Sequence, residues 1–186
     1  MPTRQIVNEH SKNMDKTVDF LRHECKSVRT GRAAPGLVEN LVVEYYGTPT
    51  PLKSLATIAA PDPQSLLIKP FDVGCAKDIE KAIKNSELSL APILDGKMIR
   101  LNLPPMSEER RRQVAQQVKQ MGEKSKVSVR NIRRDAIKQL DEAEKSKEIS
   151  EDDRDKAKDE VEKHTKKHVD EIDEIIKLKA EEIMSI

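Results

Sequence analysis

Basic side chains are concentrated in residues 110–134 of the chain. The only acidic residue in this segment is Glu123, whereas its cations are Arg110, Arg111, Arg112, Lys119, Lys124, Lys126, Arg130, Arg133 and Arg134. A helix face that only keeps a protein in solution normally mixes both signs of charge. Because acids are so scarce here, we expect the segment to bind the phosphates of a nucleic acid.

The spacing of these cations sharpens the prediction. Several of them recur at intervals of seven residues, which at about 100° per residue places them on one side of a helix. Arginine also binds a phosphate through two parallel hydrogen bonds, which lysine cannot do. We therefore predict a cationic face that lies away from the apolar side of the helix and contacts folded RNA. Its members are Arg112, Lys119, Lys126, Arg130, Arg133 and Arg134. The alternative is a solvated face without a ligand.

Two histidines and two cysteines are the other candidates for chemistry. His164 and His168 have a one-turn spacing that can bind zinc, but two lysines lie between them and His168 continues an apolar row. We therefore predict that His168 is a packed, structural imidazole. Cys25 also lies on an apolar row, and Cys75 is placed to cap a short helix. We find no nucleophile motif, paired carboxylates or phosphate-binding glycine loop, so we expect no cofactor, no metal and no enzymatic activity.

Tyr45 and Tyr46 are adjacent in a predicted strand, where neighbouring side chains point to opposite faces. We expect one ring to be buried and the other to be exposed. The exposed ring could stack on a base or contact a partner protein; simple packing is the alternative.

Glycine and proline divide the chain into helical and non-helical parts. All prolines except Pro2 and all glycines except Gly122 fall within residues 31–105. Outside that region, apolar residues recur every three or four positions over residues 7–28, 114–143 and 157–183. Each row predicts a helix that buries one side, and three such helices satisfy one another as an antiparallel bundle.

The ends of the predicted helices carry their own signals. The first helix ends near Thr30–Gly31, and the second begins after Pro104–Pro105 with Ser107 as its cap. The third begins at Ser150, and Asp153 three residues later completes a capping box. The second helix should run to about residue 146, and only a short link separates it from the third.

The region rich in proline and glycine predicts a small mixed domain. Strands are indicated at Leu41–Tyr46, Leu55–Ala60, Leu66–Phe71, Ile93–Leu94 and Lys97–Leu103, with a hairpin turn at Asp95–Gly96 and a short helix at Lys77–Asn85. The prediction is therefore an α+β protein. Residues 1–30 and 104–186 form a long three-helix bundle, and residues 31–103 form an inserted small β/α domain.

Four long motifs together resemble the ribosome recycling factor family. They are S-V-R-T-G-R-A-A-P at 27–35, V-V-E-Y-Y-G-T-P-T-P-L at 42–52, L-P-P-M-S-E-E-R-R at 103–111 and V-R-N-I-R-R-D-A at 129–136. The resemblance extends over essentially the whole chain and implies an L-shaped protein of transfer-RNA size.

The resemblance also implies a function. A family member binds large-subunit ribosomal RNA of the post-termination 70S ribosome through its bundle. With elongation factor G and GTP, it then promotes dissociation into subunits. Arg133 matches the family's arginine required for ribosome binding. The family's hinge corresponds to Thr30, Gly31 and Arg32 on one connection and to Leu103, Pro104 and Pro105 on the other.

The remaining expectations concern partners and location. The amino terminus has no apolar signal core and no apolar run reaches membrane length, so we expect a cytoplasmic protein without membrane contact. The apolar rows are just sufficient to close on one another, so we expect a monomer. The alternative function is a helical coiled-coil interaction protein that binds no RNA.

Overall fold

A computed structural model describes residues 2–86, 88 and 90–185. It contains four α-helices: α1 at Pro2–Ser27, α2 at Ala76–Lys84, α3 at Glu108–Lys145 and α4 at Glu151–Met184. Six strands lie between α1 and α3: β1 at Val42–Tyr45, β2 at Thr48–Pro51, β3 at Ala56–Asp62, β4 at Ser65–Pro70, β5 at Pro92–Asp95 and β6 at Met98–Asn102. The predicted α+β class is confirmed.

The two long carboxy-terminal helices begin where their caps are predicted. The Ser107 hydroxyl accepts a hydrogen bond from the Arg110 amide at 3.2 Å, at the first turn of α3. The Ser150 hydroxyl accepts one from the Asp153 amide at 3.1 Å and donates to the Asp153 carboxylate at 2.8 Å. Both helix starts are thereby confirmed.

The end of α3 explains the short link to α4. The Glu148 amide donates to the Ala143 carbonyl, and the Lys147 amide donates to the Glu144 carbonyl. This pair of bonds is the Schellman motif, in which one residue takes a left-handed backbone. That residue is Lys147, with φ of +62°. The motif ends α3 abruptly and lets the chain reverse within a few residues.

Side-chain contacts define the directions of the three long helices. Lys126 contacts Asp173, Arg133 contacts Glu162, and Asp141 contacts Lys158, so the residue numbers rise on α4 as they fall on α3. Helices α3 and α4 are therefore antiparallel. Ser11 contacts His164 and Asp15 contacts His168, so α1 runs parallel to α4. The predicted bundle is confirmed.

The predicted apolar rows supply the buried side of each helix. Val7 of α1 packs in one cluster with Ala136 and Leu140 of α3 and with Ala157 and Val161 of α4. Farther along the bundle, the side chains of Met14, Leu21, Val129 and Ile172 are almost completely buried. Their combined burial is the main favourable term in helix association.

The second compact part of the chain is built around a four-stranded antiparallel sheet in the order β3-β4-β6-β5. Helix α2 lies beside β1, β5 and β6. The side chains of Leu66, Ile68, Ile79, Ile99 and Leu101 are fully buried between these elements. The predicted hairpin is confirmed by the pairing of Asp95 with Met98, with Gly96 at φ of +62° in the loop.

Strand β2 was not predicted, because its sequence, Thr-Pro-Thr-Pro, contains two prolines. It pairs only with β1, and Glu44 lies opposite Pro49 as Val42 lies opposite Pro51. In a two-residue hairpin these are the non-hydrogen-bonded pairs, so neither proline nitrogen faces the partner strand. The missing N–H groups therefore cost this hairpin nothing.

Contacts between Cα atoms divide the chain into two compact units. The first contains Met1–Cys25 and Ala115–Glu181, and the second contains Lys26–Val114 and Glu182–Ile186. Both predicted connecting segments lie inside the second unit, and the domain boundaries at residues 30 and 104 stay a prediction. Among the residues that the structure describes, no helix has both the length and the apolar character needed to cross a membrane.

At Gly122, α3 lies against the Ile176 side chain of α4. A Cβ atom at this position would lie 2.6 Å from Cγ1 and 3.0 Å from Cδ1 of Ile176. Both distances are too short for carbon atoms that are not bonded to each other. The missing side chain therefore leaves room for the Ile176 side chain, at the cost of a glycine within a helix.

We predict that Gly122→Ala destabilises the protein by about 1 kcal/mol. Alanine gains about 1 kcal/mol in helix propensity, but overpacking against Ile176 costs about 1–3 kcal/mol. In an Ile176→Ala background the clash is absent, so the same substitution should become stabilising. Urea unfolding of the four proteins measures both effects. Stabilisation by Gly122→Ala in the wild-type background would contradict the proposed clash.

Candidate RNA-binding face

The six residues of the cationic face all lie on α3, a helix of 38 residues. At about 1.5 Å per residue it is roughly 57 Å long. Arg112 belongs to the second unit and the other five members belong to the first. At about 100° per residue the six positions span an arc of roughly 100° around the helix axis. They therefore share one side of α3, as the spacing predicts.

Exposure varies across this arc. Arg112, Lys119, Arg130 and Arg134 are exposed, whereas the side chains of Lys126 and Arg133 are only 14% and 33% exposed. The expectation that all six lie away from the apolar side is therefore wrong for Lys126 and Arg133. These two occupy the edge of the arc nearest the buried row, so they are partly covered by α4.

Carboxylates of α4 neutralise the two partly covered cations. The Lys126 ammonium lies 2.5 Å from the Asp173 carboxylate and 3.0 Å from that of Glu123. The hydrogen bond that Lys126 donates to Asp173, aided by the one that it donates to Glu123, raises the pKa of Lys126 above its usual value. An Arg133 Nη atom donates to the Glu162 carboxylate at 3.0 Å. Arg133 and Lys126 thus also help to join α3 to α4.

The other members of the face differ in how free they are. Arg112 forms an exposed pair with Glu108 one turn earlier, at 2.6 Å. For Lys119, Arg130 and Arg134 there is no ion pair or hydrogen bond with any side chain in residues 2–86, 88 and 90–185. These three cations therefore present uncompensated charge to solvent.

Sequence reasoning did not identify Glu162 and Asp173 as partners of the face. Both are single acids in a segment of mixed charge, and their pairing depends on the register between α3 and α4. The antiparallel link near Lys147 contains that register information, because it fixes which residues of the two helices lie at the same level.

A further cationic group lies at the start of α3 and was not singled out from the sequence. An Arg29 Nη atom donates to the Pro104 carbonyl at 2.7 Å. Burial, together with the nearby Arg110, lowers the pKa of the Arg29 guanidinium. The buried Nε atoms of Arg29, Arg111 and Arg133 have no hydrogen-bond partner in the part of the chain that the structure describes.

The predicted hinge residues lie in two segments, and the second is hydrogen-bonded to the turn between β3 and β4. Thr30 is buried, and Gly31 has a φ of +92°, a backbone that favours glycine. The Leu103 side chain is buried and its amide donates to the Gln64 carbonyl at 2.7 Å. The remaining members, Arg32, Pro104 and Pro105, are exposed.

His168 has the structural environment that was predicted. Its side chain is buried, and its two ring nitrogens lie 2.6 Å from the His164 carbonyl and 2.8 Å from the Asp15 carboxylate. Both nitrogens therefore have oxygen partners inside the bundle. Within the described residues there is no group of three or more His, Cys, Asp or Glu side chains that could hold a metal ion.

Two smaller expectations need correction. Cys75 is the N-cap residue of α2 as predicted, but its thiol donates to the Asp72 carbonyl at 3.0 Å and forms no capping hydrogen bond with α2. Tyr46 is not part of strand β1, because it is the first residue of the turn and has a φ of +46°. The two tyrosine rings consequently lie edge to face, with centroids 4.6 Å apart, and not on opposite faces of a strand.

Comparison with known proteins extends the likeness over the whole chain. The sequence pattern of the family described as Ribosome recycling factor matches residues 21–184. The ribosome-recycling factor of Geobacillus sp. is 46% identical over 183 residues, which cover 98% of this chain and 99% of that protein. The ribosome-recycling factor of Desulfosudis oleivorans is 44% identical over 181 residues, which cover 97% and 98%.

Solved structures show the same fold. A solution structure of a ribosome recycling factor has a TM-score of 0.81 at 39% identity and covers 100% of this chain and 99% of its own. A second structure contains the T. thermophilus ribosome recycling factor and E. coli elongation factor G bound to the E. coli post-termination complex. Its recycling factor has a TM-score of 0.69 at 38% identity, with coverage of 99% and 100%. From the matched pattern and these relatives, the chain belongs to the ribosome recycling factor family.

Proposed function

We propose that this protein is a translation factor that binds the post-termination 70S ribosome. Together with elongation factor G and GTP, it promotes dissociation of that ribosome into subunits, so that they can be used again. The relative bound to the post-termination complex with elongation factor G supports both partners. This activity places the protein in the bacterial cytoplasm.

The observation that carries the proposal is the uncompensated charge of Lys119, Arg130 and Arg134 along one side of α3. A rigid helix holds these cations at fixed distances, which suits the phosphates of folded RNA. Each cation that binds a phosphate releases counterions from the RNA, and this release favours the complex at moderate salt. The ligand that fits is large-subunit ribosomal RNA.

Arg112, Lys126 and Arg133 complete the proposed face in a different way. Each is already paired with a carboxylate. An RNA phosphate must therefore either replace that carboxylate or bind the cation beside it. The exposed pair of Arg112 with Glu108 contributes about 0–1 kcal/mol, which a charge-assisted bond to phosphate can exceed. The carboxylates would therefore hold Arg133 and Lys126 in position before the RNA arrives.

We further propose that the chain catalyses no chemical step and uses no cofactor. In this scheme GTP belongs to elongation factor G, and the present protein contributes binding surfaces and movement. Movement requires two parts, which we place at residues 1–30 with 104–186 and at residues 31–103. Gly31 can take the left-handed backbone that other residues avoid, so we propose that it permits bending of the first connection, whereas Pro104–Pro105 limit bending of the second.

The first prediction from the proposed function concerns the unpaired members of the face. Arg130→Ala should weaken binding to vacant 70S ribosomes by about 10-fold or more, because a hydrogen bond to a charged group is worth about 1.5–3 kcal/mol. Lys124→Ala is the matched control, since it removes one charge from another side of the same helix. Co-sedimentation at two salt concentrations gives the slope of the logarithm of the binding constant against the logarithm of the salt concentration. Arg130→Ala should make this slope about one unit less steep. If both variants lose the same ribosome affinity, the cationic face has no specific role in binding.

The second prediction concerns the pairing of Arg133. Glu162→Gln removes the carboxylate that competes with RNA, so ribosome affinity should rise by up to about fivefold, equivalent to about 1 kcal/mol. Arg133→Ala should instead reduce affinity strongly, while both variants lower the free energy of unfolding by less than about 1 kcal/mol.

Glu160→Gln controls for net charge, because Glu160 is an exposed acid on the same helix. Its effect on affinity should be clearly smaller. If Glu160→Gln raises affinity as much as Glu162→Gln does, the gain is a long-range charge effect and Glu162 does not compete for Arg133.

The third prediction concerns the proposed hinge. Gly31→Ala forces a Cβ onto a left-handed backbone and should lower stability by about 1–2 kcal/mol. Ribosome affinity should stay within about twofold, because the cationic face is untouched. The maximal rate of subunit dissociation with elongation factor G and GTP should fall. Gly96→Ala imposes similar strain in the β5–β6 loop and should leave that rate unchanged. Equal rates for the two variants would exclude a specific role for Gly31.

A further inference from the structure

A groove with mostly apolar walls runs between α3 and α4, beside the cationic face. Its volume is about 560 Å³, which is within the range of pockets that hold small ligands. The apolar part of its lining comes from Gly122, Ile176 and Ala180. Lys119 and Lys126, two members of the cationic face, also line it. We call this cavity the α3–α4 groove, and all of its lining residues belong to the first compact unit.

Small residues leave the apolar lining open to solvent. Gly122 has no side chain, and Ile176 fills only the space next to it. The register that pairs Lys126 with Asp173 places Ala180 at the level of Lys119. Lys119 is exposed, and Ile176 and Ala180 are both only half-buried. Apolar surface is therefore available at this point, and a ligand that covers it gains free energy.

The charges around the groove favour a ligand that carries phosphate. Lys119 and Lys177 both line it, and neither has an ion pair or a side-chain hydrogen bond in the described part of the chain. The carboxylates of Asp173 and Glu123 are both occupied by the Lys126 ammonium. Two ammonium groups without partners therefore flank the apolar lining.

The groove also contains an acceptor that has no partner. The Glu181 carboxylate lines it and has no ion pair or hydrogen bond with another side chain within residues 2–86, 88 and 90–185. A carboxylate accepts a hydrogen bond from the exocyclic amino group of a nucleobase. The site thus combines an apolar lining, an acceptor and cations.

An unpaired nucleotide matches this combination better than a protein side chain does. The base has flat apolar faces, the amino group of adenine, cytosine or guanine is a donor, and the phosphate is an anion. An apolar protein side chain would cover Ile176 and Ala180 but leave Lys119 and Lys177 without a partner. Proteins that recognise RNA by sequence mostly bind such splayed-out bases.

We propose that the α3–α4 groove receives one unstacked RNA base with an exocyclic amino group, from the strand whose phosphates contact the cationic face. This inference rests on the proposed function, in which that face binds ribosomal RNA. Lys119 belongs to both sites, so the strand passes from one to the other without a gap. Phosphate contacts position a protein but carry no sequence information. The groove therefore supplies a preference for one unpaired nucleotide.

The first test fills the groove without changing its charge. Ala180→Leu should lower affinity for vacant 70S ribosomes by about fivefold or more, because contacts to a single base are worth at least this much. The slope of affinity against salt should stay the same, since no cation is removed. Gln120→Leu is the control, because Gln120 is exposed on another side of α3 and its replacement also adds one leucine. The melting temperatures of both variants should stay close to that of the wild type.

The second test measures base preference directly. Fluorescence anisotropy at low salt compares single-stranded oligo(A), oligo(C) and oligo(U) of about ten nucleotides. The wild-type protein should bind oligo(A) and oligo(C) about threefold or more tighter than oligo(U), because uracil has no amino group. Ala180→Leu should abolish this preference. Glu181→Gln should weaken it, because its amide also donates to uracil, and this exposed position gives a second test if Ala180→Leu folds poorly.

Each outcome decides the proposal. Unchanged ribosome affinity in Ala180→Leu overturns it, as does an equal loss in Gln120→Leu. A less steep salt slope in Ala180→Leu also overturns it, because leucine would then displace a phosphate. If ribosome affinity falls but the wild type shows no preference among the oligonucleotides, a ribosomal protein side chain occupies the groove instead. If the wild type binds no ribosomes, the proposed function fails, and the oligonucleotides still decide whether the groove holds a base.

Discussion

The antiparallel packing of α3 against α4 is the constraint on which most of the molecule's candidate function depends. The close approach at Gly122 and Ile176 fixes the separation of the two helices, and the Schellman turn at Lys147 fixes their register. Once separation and register are fixed, each position on α3 has a defined neighbour on α4. Burial, charge pairing and exposure of the cationic face then follow from helix geometry. A slip of one turn would pair Arg133 with a different side chain and expose part of the apolar row.

The same packing reconciles stability with the proposed RNA binding. A helix whose cations were all unpaired would repel itself and gain nothing from its neighbour, whereas a fully paired helix would have no charge left for RNA. In this bundle the cations nearest α4, Lys126 and Arg133, are paired with Asp173 and Glu162. Farther round the arc, Arg112 is paired only with Glu108 of α3 itself, and Lys119, Arg130 and Arg134 have no ion pair within the described residues. One edge of α3 therefore pairs with α4 and stabilises the bundle, whereas the rest of the arc leaves positive charge exposed to solvent.

Local signals made much of this predictable from the sequence. Ser107 and Ser150 identified two helix starts, and the periodic apolar residues identified the buried sides, because capping and amphipathicity act within a few residues. What was missed depends on longer-range geometry. The pairing of Arg133 with Glu162 needs the register between helices, and β2 is tolerated only because its prolines face away from β1. Tyr46 was predicted to belong to the strand because tyrosine rarely takes the left-handed backbone that its two-residue loop requires.

The two left-handed residues that are not glycine illustrate how strain can be interpreted. Among the described residues these are Tyr46 and Lys147. At Lys147 the strain is offset, because the Schellman motif supplies hydrogen bonds to two carbonyls of α3 and reverses the chain. At Tyr46 the loop would form at lower cost with asparagine or glycine, and the exposed ring contributes little to the core. Folding alone therefore accounts for Lys147 but not for Tyr46.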